Sequence, residues 1–201
     1  MRDKDNIKSL ASLKPDYIGF IFYVHSKRFV RNIDPAVLQQ LDQKVKKTGV
    51  FVNASAEEVK KEISKYGLQA VQLHGSESPA MCLEIKQEGV EVIKAFGVDE
   101  EFDFESLKPY QNAVDFFLFD TKTSAYGGSG KAFNWQVLEK YRLDVPYFLS
   151  GGLSVENLKD VKKIKDSRMY ALDLNSRFET EPGLKDMEML KEAFFLVRQT
   201  K

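Results

Sequence analysis

The chain has 201 residues, of which 43% are hydrophobic, so it can bury a sizeable core within one domain spanning residues 1–201. Lysine and arginine number 30, as do aspartate and glutamate, and this balance favours neither nucleic acid nor an anionic membrane as a partner. We expect no membrane span and, from the opening MRDKDNIKSL, no secretory signal. The single cysteine, Cys82, fits a reducing compartment, so we expect a cytoplasmic protein.

Short apolar runs alternate with amphipathic helical patterns along the chain. Asp3, Asp34 and Ser55 stand where N-caps would begin three of the helices. The predicted strands are 17–23, 49–53, 70–74, 90–96, 116–120, 147–150 and 169–174. The predicted helices are 3–13, 35–43, 55–66, 78–88, 104–111, 134–141, 154–163 and 184–198.

Strands that alternate with helices predict a parallel α/β fold, either an open doubly wound sheet or a closed (β/α)8 barrel. A doubly wound sheet often carries a glycine-rich G-x-G-x-x-G turn after an early strand, and none occurs here. Polar or glycine residues instead follow strand after strand, which is typical of a TIM (β/α)8 barrel with its site at the carboxyl ends of the strands. These residues are 25–28, Asn53, His74, Gly75, Asp120, Gly151, Gly152, Asn175 and Ser176.

The predicted elements number seven strands and eight helices, and the order begins with a helix. Because a (β/α)8 barrel begins with a strand, we expect the first β-strand and the turn after it to be missing from this sequence. Such a barrel has two unpaired strand edges, through which the chain could self-associate.

The stretch 116–135 carries the strongest chemical signal. The apolar run 116–119 predicts a strand buried on both faces, and it ends on Asp120, whose buried carboxylate is costly unless it is paired or used. The glycine-rich segment 127–131 can bring backbone N–H groups close to a ligand. From these residues alone, Asp120 could equally be a helix cap, a partner of Lys122 or a catalytic group.

Eight segments together resemble the N-(5'-phosphoribosyl)anthranilate isomerase family of tryptophan biosynthesis. As they stand here, they are MRDKDNI, DYIGFIFYVHSKRFV, GVFVN, AVQLHG, VIKAFGV, FDTKTSAYGGSGKAFNW, LSGGLSVENL and ALDLNSRFETEPGLKD. The resemblance implies an Amadori rearrangement of N-(5-phosphoribosyl)anthranilate to 1-(2-carboxyphenylamino)-1-deoxyribulose 5-phosphate, without a cofactor or a metal. It also implies a phosphorylated small molecule as the substrate.

The resemblance assigns Asp120 as the general acid that protonates the ribose ring oxygen. Such an acid needs a raised pKa, for which the apolar run 116–119 could supply the surroundings. The general base of the family is a cysteine in a Lys-Ile/Val-Cys-Gly sequence that precedes the Met-Arg-Asp stretch. This sequence starts at that methionine, so we expect the base to be absent and the activity impaired. Cys82 falls in a helical pattern and is expected to be a buried, inert thiol.

The resemblance also assigns Arg28 to the anthranilate carboxylate, which a guanidinium binds bidentately. By residue type alone, Arg28 could be a surface arginine in a basic loop. His74 is expected to line the site, or else to make a structural hydrogen bond to a neighbouring strand.

The phosphate is expected over the last two strands, on N–H donors of Gly151 and Gly152 with Asn175 and Ser176 opposite. The alternative role of the two glycines is to form a tight turn, and that of Asn175 and Ser176 is to cap a helix. Arg177 stands where the family commonly has glycine, and it either reaches the phosphate or points to solvent. The remaining substrate-binding residues are in the glycine-rich loop, which is expected to close over the substrate; they are Gly128, Ser129 and Gly130.

Two other functions compete with this interpretation. One is a catalytically inactive barrel that binds a ligand or a partner protein. The other is a different phosphate-binding barrel enzyme, such as a sugar-phosphate epimerase. The sequence has only two histidines, His25 and His74, which argues against the metal-dependent epimerases.

Overall fold

The computed structural model describes residues 1–31, 33–122 and 133–198. Seven parallel strands form one curled sheet whose spatial order follows the order along the chain. The strands are β1 (Tyr17–Ile21), β2 (Lys46–Phe51), β3 (Ala70–Leu73), β4 (Glu91–Val98), β5 (Phe116–Thr121), β6 (Tyr147–Leu149) and β7 (Met169–Leu172). A doubly wound sheet reverses its strand order at a switch point, and this sheet does not. The prediction of a seven-stranded sheet of the barrel type is confirmed, with β1 and β7 at its edges.

A helical segment lies at each of the eight predicted positions. The α-helices are α1 (Lys4–Ser12), α2 (Pro35–Gln39), α3 (Ala56–Tyr66), α4 (Pro79–Lys86), α5 (Leu158–Val161) and α6 (Met187–Arg198). Two of the predicted helices are 3₁₀ helices, Phe104–Tyr110 and Trp135–Lys140. The first contains Pro109, which lacks the N–H donor that an α-helix needs. None of the helices in the described ranges is long and apolar enough to span a membrane.

The predicted N-caps hold three of these helices. Asp3 accepts a hydrogen bond from the backbone N–H of Asn6 at 2.7 Å, and Asp34 caps α2 in the same way. Ser55 and Glu58 form a reciprocal capping box at the start of α3. Local sequence therefore determines where these helices begin.

The last predicted helix, 184–198, begins later than expected. Its first residues belong to an antiparallel hairpin of β8 (Glu179–Glu181) and β9 (Leu184–Lys185), and α6 begins only at Met187. Asn6 of α1 fastens this hairpin, because its side-chain amide exchanges two hydrogen bonds of 2.8 Å with the backbone of Lys185.

Side chains of the sheet alternate between an outer and an inner apolar layer. On β5, Phe117 and Phe119 face the helices, where Phe119 packs edge-on against Tyr141 with ring centroids 5.3 Å apart. Leu118 faces inward and packs with the inner residues Ala70, Ile93, Ala95 and Phe148. Because strand side chains repeat every second residue, Asp120 shares the inner face with Leu118. The apolar run therefore turns two of its four side chains away from Asp120, not toward it as the sequence suggested.

Candidate active site

A cavity of about 780 Å³ opens inside the curled sheet; it reaches the carboxyl ends of the strands, and its lining continues along the edge strands β1 and β7 to Tyr17 and Tyr170. Every predicted site residue that the structure describes lines it, although these residues come from five separate segments of the chain. They are Arg28, His74, Asp120, Gly151, Gly152, Asn175 and Ser176. The three loop residues Gly128, Ser129 and Gly130 lie outside the described residues.

Asp120 presents a partly buried carboxylate to this cavity, with 15% of its side chain exposed. Its Oδ1 accepts a hydrogen bond from the backbone N–H of Thr121 at 2.7 Å, and its Oδ2 lies 3.5 Å from Nε2 of His74. Lys122 pairs instead with Asp99, at 2.5 Å. The partner of Asp120 is therefore a histidine within the cavity, and not the neighbouring lysine.

His74 is oriented by a residue two positions earlier. Its Nδ1 lies 2.9 Å from Oε1 of Gln72. This contact fixes the orientation of the ring and directs Nε2 toward Asp120. His74 therefore lines the cavity, and the side chain that orients it belongs to its own strand rather than to a neighbouring one.

A buried ion pair supports the loop that follows His74. Glu77 accepts hydrogen bonds from the backbone N–H groups of Asn53 and Gly75, at 2.8 and 2.9 Å. Nζ of Lys94 lies 3.3 Å from the carboxylate of Glu77 and donates to the carbonyl of Gly75 at 2.8 Å. Burial of both charges is acceptable because each is paired and hydrogen-bonded. The pair joins the segments that follow β2 and β3 to the middle of β4.

Arg28 is not a surface arginine. Only 17% of its side chain is exposed, and Glu179 of β8 holds it through Nε at 2.8 Å and Nη2 at 2.7 Å. Glu179 also lies 3.5 Å from Nζ of Lys185. Burial alone would raise the pKa of Glu179, but the hydrogen bonds from Arg28 and the charge of Lys185 together hold that pKa below its usual range.

The glycines after β6 form a turn that only glycine tolerates. Gly151 and Gly152 have φ values of +82° and +64°. A Cβ atom on Gly151 would lie 2.5 Å from the backbone nitrogen of Thr121 and 2.9 Å from Oδ1 of Asp120. Within the described ranges, the N–H groups of both glycines make no hydrogen bond, so they are available to a ligand. Asn175 lies across the cavity, with its Oδ1 held by Lys185 at 2.9 Å.

Asp173 is a functional candidate that sequence reasoning missed. Its Oδ2 accepts a hydrogen bond from Ser150 at 3.1 Å, and both residues line the cavity. Burial raises the pKa of Asp173, Lys185 opposes this shift, and the negative charge of Asp120 adds to it. Asp173 lies at the carboxyl end of β7 as Asp120 lies at the carboxyl end of β5, and that parallel could have identified it. Glu179 and Lys185 belong to the unpredicted hairpin, whose one local signal is the Pro182-Gly183 turn.

Two other features bear on the chemistry. The described part of the chain holds no group of three or more metal-ligating His, Cys, Asp or Glu side chains. Cys82 is fully buried in α4, where burial raises its pKa to about 11. At neutral pH this thiol is protonated, and it does not line the cavity.

Fold and site together define a TIM-barrel-type α/β protein with a polar cavity at the carboxyl ends of its strands. The family model described as N-(5'phosphoribosyl)anthranilate (PRA) isomerase matches residues 1–195. The chain therefore belongs to the N-(5'-phosphoribosyl)anthranilate isomerase family, a family of isomerases of tryptophan biosynthesis.

Individual relatives agree with this assignment. The chain is 45% identical to the N-(5'-phosphoribosyl)anthranilate isomerase of Parabacteroides distasonis over 194 residues, which cover 95% of this chain and 87% of that protein. It is 41% identical to the enzyme of Phocaeicola vulgatus, over 92% of this chain and 89% of that protein. The crystal structure of phosphoribosyl anthranilate isomerase from Thermotoga maritima superposes with a TM-score of 0.83 at 33% identity, covering 99% of this chain and 96% of that one.

Proposed function

We propose that this chain catalyses the Amadori rearrangement of N-(5-phosphoribosyl)anthranilate to 1-(2-carboxyphenylamino)-1-deoxyribulose 5-phosphate. The observation that carries the proposal is the position of Asp120, whose carboxylate contacts His74 inside the cavity that Arg28 and the glycine turn also line. In this proposal Asp120 protonates the ribose ring oxygen, and the ring opens to an iminium. The reaction is an internal redox exchange between neighbouring carbons, so it consumes no cofactor.

The cavity offers two sets of anion-binding groups to a substrate. Arg28 would bind the carboxylate of the anthranilate ring, because its guanidinium suits a planar anion. The N–H groups of Gly151 and Gly152 would bind the phosphate, with Asn175 and Ser176 opposite. The volume of about 780 Å³ lies in the range of small-molecule sites. Gly128, Ser129 and Gly130 would close over the substrate and exclude water.

A solved relative supports this class of substrate. A phosphoribosyl anthranilate isomerase 30% identical to this chain, with a TM-score of 0.81, was crystallised in complex with reduced 1-(o-carboxyphenylamino)-1-deoxyribulose 5-phosphate. That ligand carries both a carboxylate and a phosphate. In the present proposal, Arg28 would bind the first of these anions and the glycine turn would bind the second.

The proton that leaves the substrate carbon needs a base. Cys82 does not supply it, since that thiol is buried in α4 and lies outside the cavity lining. We infer that the 201 residues alone turn over slowly, and that the same residues preceded by a Lys-Val-Cys-Gly strand turn over faster. Loss of phosphoribosylanthranilate fluorescence measures both rates. Equal rates would mean that another side chain removes the proton.

The central test replaces Asp120 with asparagine, which keeps the shape and removes the transferable proton. We expect kcat to fall by about 10²–10⁴-fold, the usual contribution of a general acid, while affinity for the reduced product analogue changes little. Asp99→Asn is the matched control, because Asp99 pairs with Lys122 at an exposed position outside the cavity lining. If Asp120→Asn retains more than a tenth of the activity, Asp120 is not the acid.

Self-association through the sheet edges is a further part of the proposal. The edge of β1 is already partly occupied, since the carbonyl of Ile21 accepts a hydrogen bond from the N–H of Val30 at 2.9 Å. Association would therefore use the edge of β7, and sedimentation at several concentrations measures it. A monomer at every concentration would exclude self-association.

We place the protein in the cytoplasm, where a single unpaired thiol is stable.

A further inference from the structure

The hairpin of β8 and β9 carries two buried charged residues beside the cavity. Glu179 has only 4% of its side chain exposed and holds Arg28, the residue proposed for the anthranilate carboxylate. Lys185 donates to Oδ1 of Asn175 at 2.9 Å and to the carbonyl of Leu174 at 3.1 Å, and Asn175 is one of the residues proposed for the phosphate. One short hairpin thus contacts residues proposed for both anions of the substrate.

The contact between Arg28 and Glu179 uses one particular edge of the guanidinium. Nε lies 2.8 Å from Oε2 of Glu179 and 3.1 Å from Oε1, and Nη2 lies 2.7 Å from Oε2. This side-on pairing leaves the end-on edge, formed by Nη1 and the outer N–H of Nη2, for a second planar anion. Since the five donors of a guanidinium form a rigid fork, fixing one edge also fixes the direction of the other.

Glu179 is itself held in place. It accepts a hydrogen bond from the backbone N–H of Gly183 at 3.2 Å, within the same hairpin turn, and it lies 3.5 Å from Nζ of Lys185. Its carboxylate therefore has partners on several sides, and it cannot follow Arg28 if Arg28 moves. The direction of the guanidinium is set by the hairpin, 151 positions away in sequence.

We propose that Glu179 is a positioning residue that makes the cavity selective for substrates with a carboxylate on the aromatic ring. The inference depends on the proposed function, because it takes Arg28 as the group that binds that carboxylate. Glu179 does not touch the substrate. It holds the guanidinium so that the end-on edge faces the ligand, and without it Arg28 samples orientations that bind a planar anion poorly.

Binding measurements test this without any turnover. Two ligands are compared by calorimetry: the reduced product analogue, and the same molecule with a phenyl ring that lacks the carboxylate. The wild-type chain should bind the first more tightly. In Glu179→Gln this preference should fall roughly tenfold or more, while affinity for the ligand without the carboxylate stays within about twofold.

Glu181→Gln is the matched control, since Glu181 lies on the same hairpin with an exposed side chain 3.6 Å from Arg2. It should leave the preference unchanged. Glu179→Asp keeps the charge but shortens the reach, so its preference should lie between those of the wild type and Glu179→Gln. If Glu179→Gln does not fold, the ligand preference of Glu179→Asp tests the inference by itself.

Three results would overturn the inference. They are equal weakening of both ligands in Glu179→Gln, an unchanged preference in Glu179→Asp, and a wild-type chain with no preference for the carboxylate. The wild-type chain could prefer the ligand with the carboxylate, and Glu179→Gln could lose that preference, while the chain has no isomerase activity even with an upstream cysteine strand. That result would refute the proposed function and leave this inference standing.

Discussion

Replacing Lys94 with methionine tests how much the buried ion pair between Lys94 and Glu77 stabilises the fold. Lys94 is 1% exposed and its partner Glu77 is 4% exposed. The variant removes the cation and leaves the carboxylate buried, with backbone N–H groups of Asn53 and Gly75 as its partners. Removing one partner of a buried pair costs about 3–5 kcal/mol, because the remaining charge is uncompensated.

A second variant separates the charge from the packing. Adding Glu77→Gln to Lys94→Met removes the stranded charge, so the double variant should be less destabilised than the sum of the two single variants. Lys46→Met is the matched control, because Lys46 pairs with Glu91 at a position where about a third of each side chain is exposed. A pair so exposed contributes about 1 kcal/mol or less.

Urea unfolding followed by the fluorescence of Trp135 and by circular dichroism gives the free energies, provided that the slopes with denaturant agree among the variants. The reasoning is refuted if Lys94→Met costs no more than Lys46→Met. It is also refuted if the effects of Glu77→Gln and Lys94→Met add fully, since a coupled buried pair must show an interaction energy.

Three more predictions follow from the described geometry. Gly151→Ala should lower kcat at least tenfold, because its Cβ would meet the proposed general acid at 2.9 Å, whereas Gly67→Ala, also at positive φ but with open space around it, should reduce only stability. Burial raises the pKa of Asp173, so ionisation of its carboxyl group destabilises the folded state. Asp173→Asn should therefore raise Tm at pH 8, where the carboxyl group is ionised in the unfolded chain. It should change Tm little at pH 3, where the carboxyl group is protonated. Hydrogen bonds from Arg168 lower the pKa of Asp166 in the folded state. The ionised carboxylate therefore stabilises the fold above the pKa of Asp166 in the unfolded chain, and this stabilisation is lost as the pH falls through the folded-state pKa. Asp166→Asn should lower Tm at pH 7, and calorimetry should show the difference from the wild type shrinking below pH 3.

Some of the fold could be predicted because its signals are local. The run 116–119 has strand character at every position, and β5 forms there as Phe116–Thr121. Ser55 and Glu58 lie three residues apart, so their capping box needs nothing from the rest of the chain. The predicted bounds are wrong where the local signal is weak. The strand predicted at 49–53 begins at Lys46. Lys47 and Thr48 are polar and gave no strand signal, but the fold buries both of them.

The candidate site could be predicted in position but not in its contacts. Polar residues after successive parallel strands must meet at one edge of the sheet, and so His74 and Asp120 were expected to share a cavity. Their pairing at 3.5 Å, and the use of Gln72 to turn the histidine, depend on side-chain directions that the sequence order does not specify.

Local sequence patterns are sufficient to predict the alternation of strands and helices, the starts of the capped helices and most of the polar residues at the carboxyl ends of the strands. Each of these depends on side chains a few positions apart. The contacts of Glu179 with Arg28 and of Lys185 with Asn175 depend instead on how distant segments pack together. The first of these contacts joins residues 151 positions apart through a hairpin with hardly any local signal. The packing of distant elements decides which charged residues pair in a buried site. Local sequence patterns therefore do not predict such pairs.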